Sequence, residues 1–382
     1  MLNRLSAALG IACLISSVMY AAQSPQGLVV DVRLEAWHKA VEAHQLGKAD
    51  PAARSIAEWD NTALLQAIKD FQREPPPAWF LKRGAVLHLD IARFYNPVAR
   101  GALFPGRQRG EPLTLTALDG QRTGQNWLST HVQMARELLD LIPGRERDET
   151  VRLWYIATGA YFAYEHNLAE ALMHYEQAFR LFPRDPQLLL ARGCLYETFA
   201  SPRVQSVVRE GVGTGGQLTV GAERHNLIAA ERYFRDSLKA DPGSAEARIR
   251  LGHVLGLQQR HREAVAELQQ VTNATDPRLA YYALLVMGRE EEMLGRTDAA
   301  RRSFERASAL FPAAQSPLLA LGRLAFHDGD PRRAEAALAP LFALGDDEIS
   351  RFDPWWDYYS GTGRFSDRLL TQLYSVVLKE PR

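Results

Sequence analysis

The sequence of 382 residues predicts an all-α fold, a solenoid of antiparallel helix hairpins. Two observations support this prediction. A pattern of small and aromatic residues recurs about every 34 residues in the C-terminal half, and apolar residues on both sides of it follow helical spacing. Because a single hairpin exposes an apolar face, such repeats bury that face by stacking on their neighbours.

The repeat is marked by an alanine that is followed four residues later by an aromatic residue or leucine. Successive alanines are 59, 34, 36 and 34 residues apart, so the first interval is one period plus an insertion of 25 residues. A glycine stands twelve residues before each alanine once the insertion is allowed for. The marker residues are Gly159, Ala171, Tyr175, Gly193, Ala230, Phe234, Gly252, Ala264, Leu268, Gly288, Ala300, Phe304, Gly322, Ala334 and Leu338.

These markers have a physical explanation in close helix packing. Glycine and alanine leave room where the two helices of a hairpin approach, and the larger side chain of a neighbouring turn fills that room. Proline stands twelve residues after the alanine at Pro183, Pro242 and Pro312, where it is expected to end the second helix. In the third unit the proline, Pro277, comes one place late.

The segments EALMHYEQAFRLFP, AAERYFRDSLKADP and DAARRSFERASALFP carry this spacing and resemble the tetratricopeptide repeat family. The resemblance covers five units within residues 151–348. It implies a right-handed superhelix whose first helices line a concave groove, and a function in binding other proteins or peptides without a cofactor or catalytic residue.

The resemblance also implies which side chains face the groove, since residues beside the packing glycine tend to contact ligands in this family. Carried over position by position, these residues are Glu197, His253, Arg289, Glu292, Arg323 and His327. An alternative for two of them is mutual pairing, because Arg289 and Glu292 are three residues apart on one helix.

The N-terminus is typical of a secretory signal peptide over residues 1–22. Arg4 precedes an apolar run from Ala7 to Tyr20, which ends at small residues. This pattern predicts export to the periplasm or the exterior. The alternatives are an uncleaved, membrane-anchored start and lipidation of Cys13, and membrane association is expected through such an N-terminus alone.

Three further regions surround the repeats. Residues 23–150 are predicted to be helical, with degenerate hairpins as one interpretation. Residues 349–382 are predicted to form a C-terminal helical cap with Trp355, Trp356, Tyr358 and Tyr359 in its core. The insertion at about 200–226 is predicted to be a small β-hairpin or a loop, because VQSVV and QLTV flank a glycine-rich stretch.

Other sequence features argue against several function classes. Lys plus Arg and Asp plus Glu balance at 45 each, which disfavours nucleic acid as a partner. Gly211, Gly213 and Gly216 have GxGxxG spacing, but no βαβ pattern surrounds them, so a turn is the favoured interpretation. Cys194 is expected to be a buried structural thiol, and neither a zinc-binding HExxH nor a phosphate-binding motif occurs.

The sequence therefore predicts a non-catalytic scaffold that binds a peptide or helix of an envelope protein in its groove. Two alternatives remain open at this point. One is an enzyme or enzyme subunit with a catalytic module in the N-terminal region, and the other is a structural component of an envelope assembly.

Overall fold

A computed structural model describes most of the C-terminal two thirds of the chain and short stretches before it. The described residues are 78–79, 81–86, 88–89, 92, 132–133, 135–165, 167–209, 221–343 and 352–379. The predicted signal peptide, Cys13 and the insertion's Gly211, Gly213 and Gly216 lie outside these residues.

The described residues are helical and contain no β-strand, which confirms the all-α prediction for this part of the chain. The helices are α1 (Glu149–Tyr164), α2 (Leu168–Leu181), α3 (Pro186–Ala200), α4 (Pro202–Arg209), α5 (Glu223–Ala240), α6 (Ala245–Leu257), α7 (His261–Leu268), α8 (Pro277–Met293), α9 (Thr297–Leu310), α10 (Gln315–His327), α11 (Pro331–Phe342) and α12 (Ser366–Lys379). Turns of 3-10 helix occur at Arg145–Arg147 and Pro354–Phe365. None of the helices described is long and apolar enough to cross a membrane.

The chain divides into two compact units. One unit comprises residues 159–366, and the other comprises residues 1–158 with 367–382. The first unit contains, among its described residues, hairpins 1 to 5, formed in order by α1 from Gly159 onward with α2, α3 with α5, α6 with α7, α8 with α9 and α10 with α11.

The repeat glycines lie where the two helices of each hairpin are in closest contact. A Cβ added at Gly159 would lie 2.3 Å from the Tyr175 ring, and one at Gly193 would lie 2.4 Å from the Phe234 ring. The corresponding contacts at Gly252, Gly288 and Gly322 are 2.6, 2.6 and 2.8 Å, to Leu268, Phe304 and Leu338. Because unbonded carbon atoms do not approach so closely, a larger residue at these positions would force the helices apart.

Two local predictions are wrong. Pro277 does not end a second helix; it is the first residue of α8, and the Asp276 carboxylate before it accepts from the Arg278 N–H at 2.8 Å. Proline is favoured at this position because its missing N–H would have no partner there. The VQSVV segment, residues 204–208, lies in α4 instead of a strand.

The other unit has a small buried core of its own. Leu81, Ala85 and Leu89 are fully buried, and a Cβ added at Gly84 would lie 2.9 Å from Leu138. This glycine contact has the form seen in the hairpins of the first unit. That the whole of residues 23–150 consists of degenerate hairpins stays a prediction.

Candidate functional site

The predicted groove residues lie on the first helices of the hairpins, and the structure places them in two different environments. Glu197 and His253 are buried, with 0% and 1% of their surfaces exposed. Arg289, Glu292 and Arg323 line an open cleft, as His253 does at one edge. The sixth predicted residue, His327, is exposed beside the Phe326 ring and does not line that cleft.

The buried part of the groove is covered by residues 352–365, which we call the C-terminal segment. At one end Asp353 accepts hydrogen bonds from the Tyr281 hydroxyl at 2.6 Å and the Ser316 N–H at 2.7 Å. At the other end the Thr362 hydroxyl lies 3.2 Å from the Tyr175 hydroxyl. The segment therefore extends from hairpins 4 and 5 back to hairpin 1.

This course differs from the terminal cap that the sequence predicts. A cap would close the last hairpin, whereas the C-terminal segment packs on α3 and α8, first helices of hairpins 2 and 4. Of its aromatic residues, Tyr358 is fully buried and stacks on Trp355 at 4.4 Å between ring centroids. Trp356 is 54% exposed and does not belong to a core.

A network of charged side chains lies beneath Tyr358. The Glu197 carboxylate accepts hydrogen bonds from the Arg250 guanidinium at 2.6 Å and from the Tyr358 hydroxyl at 2.8 Å. It also lies 2.7 Å from Nδ1 of His253. Arg250 also donates to Glu246 at 3.0 Å, and its guanidinium lies 4.5 Å from the centre of the Tyr358 ring.

The charge state of this network follows from its contacts. Burial by itself would raise the pKa of Glu197, but the positive charge of Arg250 and the hydrogen bonds from His253 and Tyr358 outweigh burial and lower that pKa. Burial and the neighbouring Glu197 carboxylate raise the pKa of Tyr358, so its hydroxyl stays a donor. The network is therefore an ion pair held in a site that the C-terminal segment closes to water.

The array also holds the main chain of the C-terminal segment. The Arg250 guanidinium donates to the Tyr358 carbonyl at 2.7 Å, the Tyr282 hydroxyl donates to the Pro354 carbonyl at 2.8 Å, and the Thr198 hydroxyl donates to the Tyr359 carbonyl at 3.2 Å. Contacts of this kind hold a chain by its backbone, as peptide-binding grooves do.

The open part of the groove is a cleft of about 400 Å³. Its lining residues come from α6, α8, α9 and α10, with Trp355 of the C-terminal segment as one wall, and they are His253, Leu285, Val286, Arg289, Glu292, Met293, Phe304, Ala320, Arg323 and Trp355. Met293 is 61% exposed here, and Phe326, further along α10, is 72% exposed.

Ion pairing in the cleft differs from the alternative considered for the sequence. Glu292 does not pair with Arg289; it accepts two hydrogen bonds from the Arg323 guanidinium of the next hairpin. Among the described residues, no carboxylate forms an ion pair with Arg289, which is exposed. Burial and the Glu197 carboxylate raise the pKa of Tyr359, and the positive charge of Arg289 opposes part of that rise.

One register explains these pairings. The residue four places after a packing glycine contacts the residue one place after the next packing glycine. Glu197 contacts His253 in this way, and Glu292 contacts Arg323. Between hairpins 3 and 4 the same two positions hold Gly256 and Arg289, so this register supplies no acidic side chain to Arg289.

Sequence reasoning missed Arg250, which organises the buried network, and Asp353, which fixes one end of the C-terminal segment. Arg250 did leave a signal in the sequence. It interrupts the apolar run RIRLGHVLG on a helix that is buried on several sides, and a buried arginine requires acidic partners.

Groups that could perform chemistry are few in the described part of the chain. Cys194 is 4% exposed, and burial raises the pKa of its thiol to about 12, so it is a protonated thiol at neutral pH. No group of three histidine, cysteine or acidic residues in the described ranges is arranged to hold a metal ion.

Part of the array matches a known repeat family, and several solved structures resemble the chain. Residues 222–286, from α5 into α8, match the tetratricopeptide repeat family. No curated protein sequence matches the chain. The solved structures similar to it include PilF of Pseudomonas aeruginosa, at 16% identity and a TM-score of 0.42 over 61% of this chain and 95% of that one.

Two further structures have similar values. MamA of strain MSR-1 has 20% identity and a TM-score of 0.36 over 50% of this chain and 93% of that one. YrrB, described as a TPR protein with an unusual peptide-binding site, has 17% identity and a TM-score of 0.37 over 54% and 92%. The family match covers residues 222–286, and the hairpins on both sides repeat the glycine contact between Gly252 and Leu268 found within that range.

Proposed function

We propose that the hairpin array is a non-catalytic scaffold that binds a partner protein, and that the open cleft over hairpins 4 and 5 receives a peptide or helix of that partner. The observation that carries the proposal is the state of Arg289. Its guanidinium is exposed in a cleft with an apolar floor, and the position that supplies an acidic partner elsewhere in the array holds Gly256.

The chemistry of the cleft defines the ligand. An acidic side chain of the partner would pair with Arg289, where the surrounding apolar walls strengthen the interaction relative to water. An adjacent apolar side chain would pack against Leu285, Met293 and Ala320. The ligand is thus a segment with an acidic residue beside leucine, methionine or phenylalanine.

The proposal is tested by site-specific photo-crosslinking from Met293 in cells that produce the tagged protein, with captured proteins identified by mass spectrometry. Arg289→Glu should remove discrete captured partners by repulsion of the acidic residue. Arg332→Glu is the matched control, because Arg332 is exposed on α11 and does not line the cleft. An identical set of partners from wild type and both variants would overturn the proposal.

We also propose that the chain is exported and that its partner is an envelope protein. The support is the charged, apolar and small-residue pattern of residues 1–22. Fractionation of the producing cells with N-terminal sequencing of the isolated protein tests this proposal. A cytoplasmic protein that retains Met1 would contradict it.

A further inference from the structure

The C-terminal segment covers the face of the array formed by the first helices α3, α6, α8 and α10, which we call the inner face. It lies there in the manner of a bound peptide. Its backbone carbonyls accept from Arg250, Tyr282 and Thr198, and its two anchoring side chains, Asp353 and Tyr358, end in polar pockets. Between these anchors the chain follows 3-10 turns, unlike the helix hairpins on which it lies.

The surface beneath the segment is unusual for a permanent core. Glu197, Arg250 and His253 are buried, and Tyr358 and Trp355 lie over them, with aromatic contacts from His253 to both rings at 5.0 and 5.7 Å. A permanently closed interface gains little from a buried ion pair, since apolar residues of similar volume stabilise such a site equally well or better. A surface that is alternately covered and hydrated needs polar groups that water can also satisfy.

We propose that the inner face of hairpins 2 to 5 is a second binding site, for a partner segment of the pattern Asp-Pro-Trp-x-x-Tyr, and that residues 353–358 are an internal ligand that occupies it. The acidic residue of the partner would accept from Tyr281 and from the Ser316 N–H, as Asp353 does. Its tyrosine would donate to Glu197, and its aromatic rings would cover His253.

The inference goes beyond the proposed function, because it concerns a surface that is covered in the structure and does not involve Arg289. The internal ligand is tethered, so its effective concentration is about millimolar for a short linker, and it competes with any segment supplied by another molecule. A partner therefore gains access when the contacts of the internal ligand are weakened.

The test measures binding of a fluorescent peptide with the sequence of residues 352–365 to the full-length chain by anisotropy. We expect at least tenfold tighter binding to the Asp353→Ala, Tyr358→Ala double variant than to wild type, because the variant groove is intact and its internal ligand is weakened. The same peptide with both substitutions should not bind. Trp356→Ala is the matched control, and it should leave binding at the wild-type level because Trp356 is 54% exposed.

Circular dichroism and light scattering complete the experiment. A folded double variant that does not bind the peptide would overturn the inference. Loss of helical signal in that variant would also overturn it, since the segment would then be a required part of the fold. Dimers of the wild-type chain that exchange their segments and exclude the peptide would assign the site to a second copy instead. Each result is independent of partner capture at Arg289.

Discussion

In the covered and the open parts of the groove, the same two positions of the repeat carry a contact between neighbouring hairpins, but one contact is buried and the other is exposed. Between hairpins 2 and 3, Glu197 and His253 occupy these positions and are sealed by Tyr358. Between hairpins 4 and 5, Glu292 and Arg323 occupy them, and Arg323 is 50% exposed at its side chain. The comparison shows that the backbone of a repeat array determines where two side chains meet, whereas the surroundings determine the energy of their contact.

The largest expected effect is a difference in stability between variants of the buried Glu197–Arg250 ion pair and of the exposed Glu292–Arg323 ion pair. Arg250→Met should destabilise the protein by about 3–5 kcal/mol, because it leaves the buried Glu197 carboxylate without its main partner. Arg323→Met should cost less than about 1 kcal/mol, because Glu292 can be hydrated in the open cleft. Urea unfolding followed by circular dichroism measures both. Equal losses would show that the C-terminal segment does not seal the network.

Substitution of a packing glycine should also destabilise the covered part of the array more than the open part, but by less than loss of Arg250. Gly193→Ala places a Cβ against the Phe234 ring, which is fully buried, and should cost about 1–3 kcal/mol. Gly322→Ala meets Leu338, a half-buried side chain on the last described hairpin, and should cost less than about 1 kcal/mol. Thermal unfolding compares the two variants. A reversed order would mean that Phe234 has room to move.

The pH dependence of stability should reveal the lowered pKa of the buried Glu197 carboxyl group. Because the pKa of Glu197 is lower in the folded chain than its ordinary value of 4.5, the stabilisation from this group is complete above that value and is lost as pH falls through the folded pKa. Unfolding free energies at pH values from about 6 down to about 3 should therefore fall less steeply for Glu197→Gln than for wild type. Parallel curves would contradict the lowered pKa.

The smallest change concerns a single thiol. Cys194 is 4% exposed and has a raised pKa of about 12, and a Cβ added at Gly361 of the C-terminal segment would lie 2.9 Å from the Cys194 Cβ. In a Cys13→Ser background, alkylation at neutral pH should be slow, and Tyr358→Ala should accelerate it without unfolding the chain. Mass spectrometry of timed samples measures the rate. Fast alkylation of the parent chain would contradict burial by the segment.

The fold was predictable from sequence to the extent that its contacts are periodic. Gly159 and Gly288 are each followed sixteen residues later, in the same hairpin, by the aromatic residue that they contact. A repeated spacing in the sequence therefore indicates a repeated contact. The pairing of Glu292 with Arg323 follows the same register and was available in principle from the positions beside the glycines. The Glu197–Arg250 ion pair spans 53 residues because the insertion lies between them, and this spacing hid it.

The course of the C-terminal segment could not be predicted in this way. The contact of Asp353 with Tyr281 and that of Thr362 with Tyr175 occur once and follow no period. Nothing in the composition of DPWWDYYSGTG distinguishes aromatic residues that cap an end from aromatic residues that lie in a groove. Glu197 and His253 were consequently expected on an open surface, although the segment buries both.

The hydrogen bond between Tyr175 and Thr362 joins residues that are 187 positions apart. Hairpin contacts form between residues that leave the ribosome close together in time, whereas this bond must wait until residue 362 has been made. During synthesis, the inner face of the early hairpins is therefore assembled and uncovered before its own segment exists. A molecule that binds this face would meet no competitor in that interval, so the order of synthesis itself favours the first occupant.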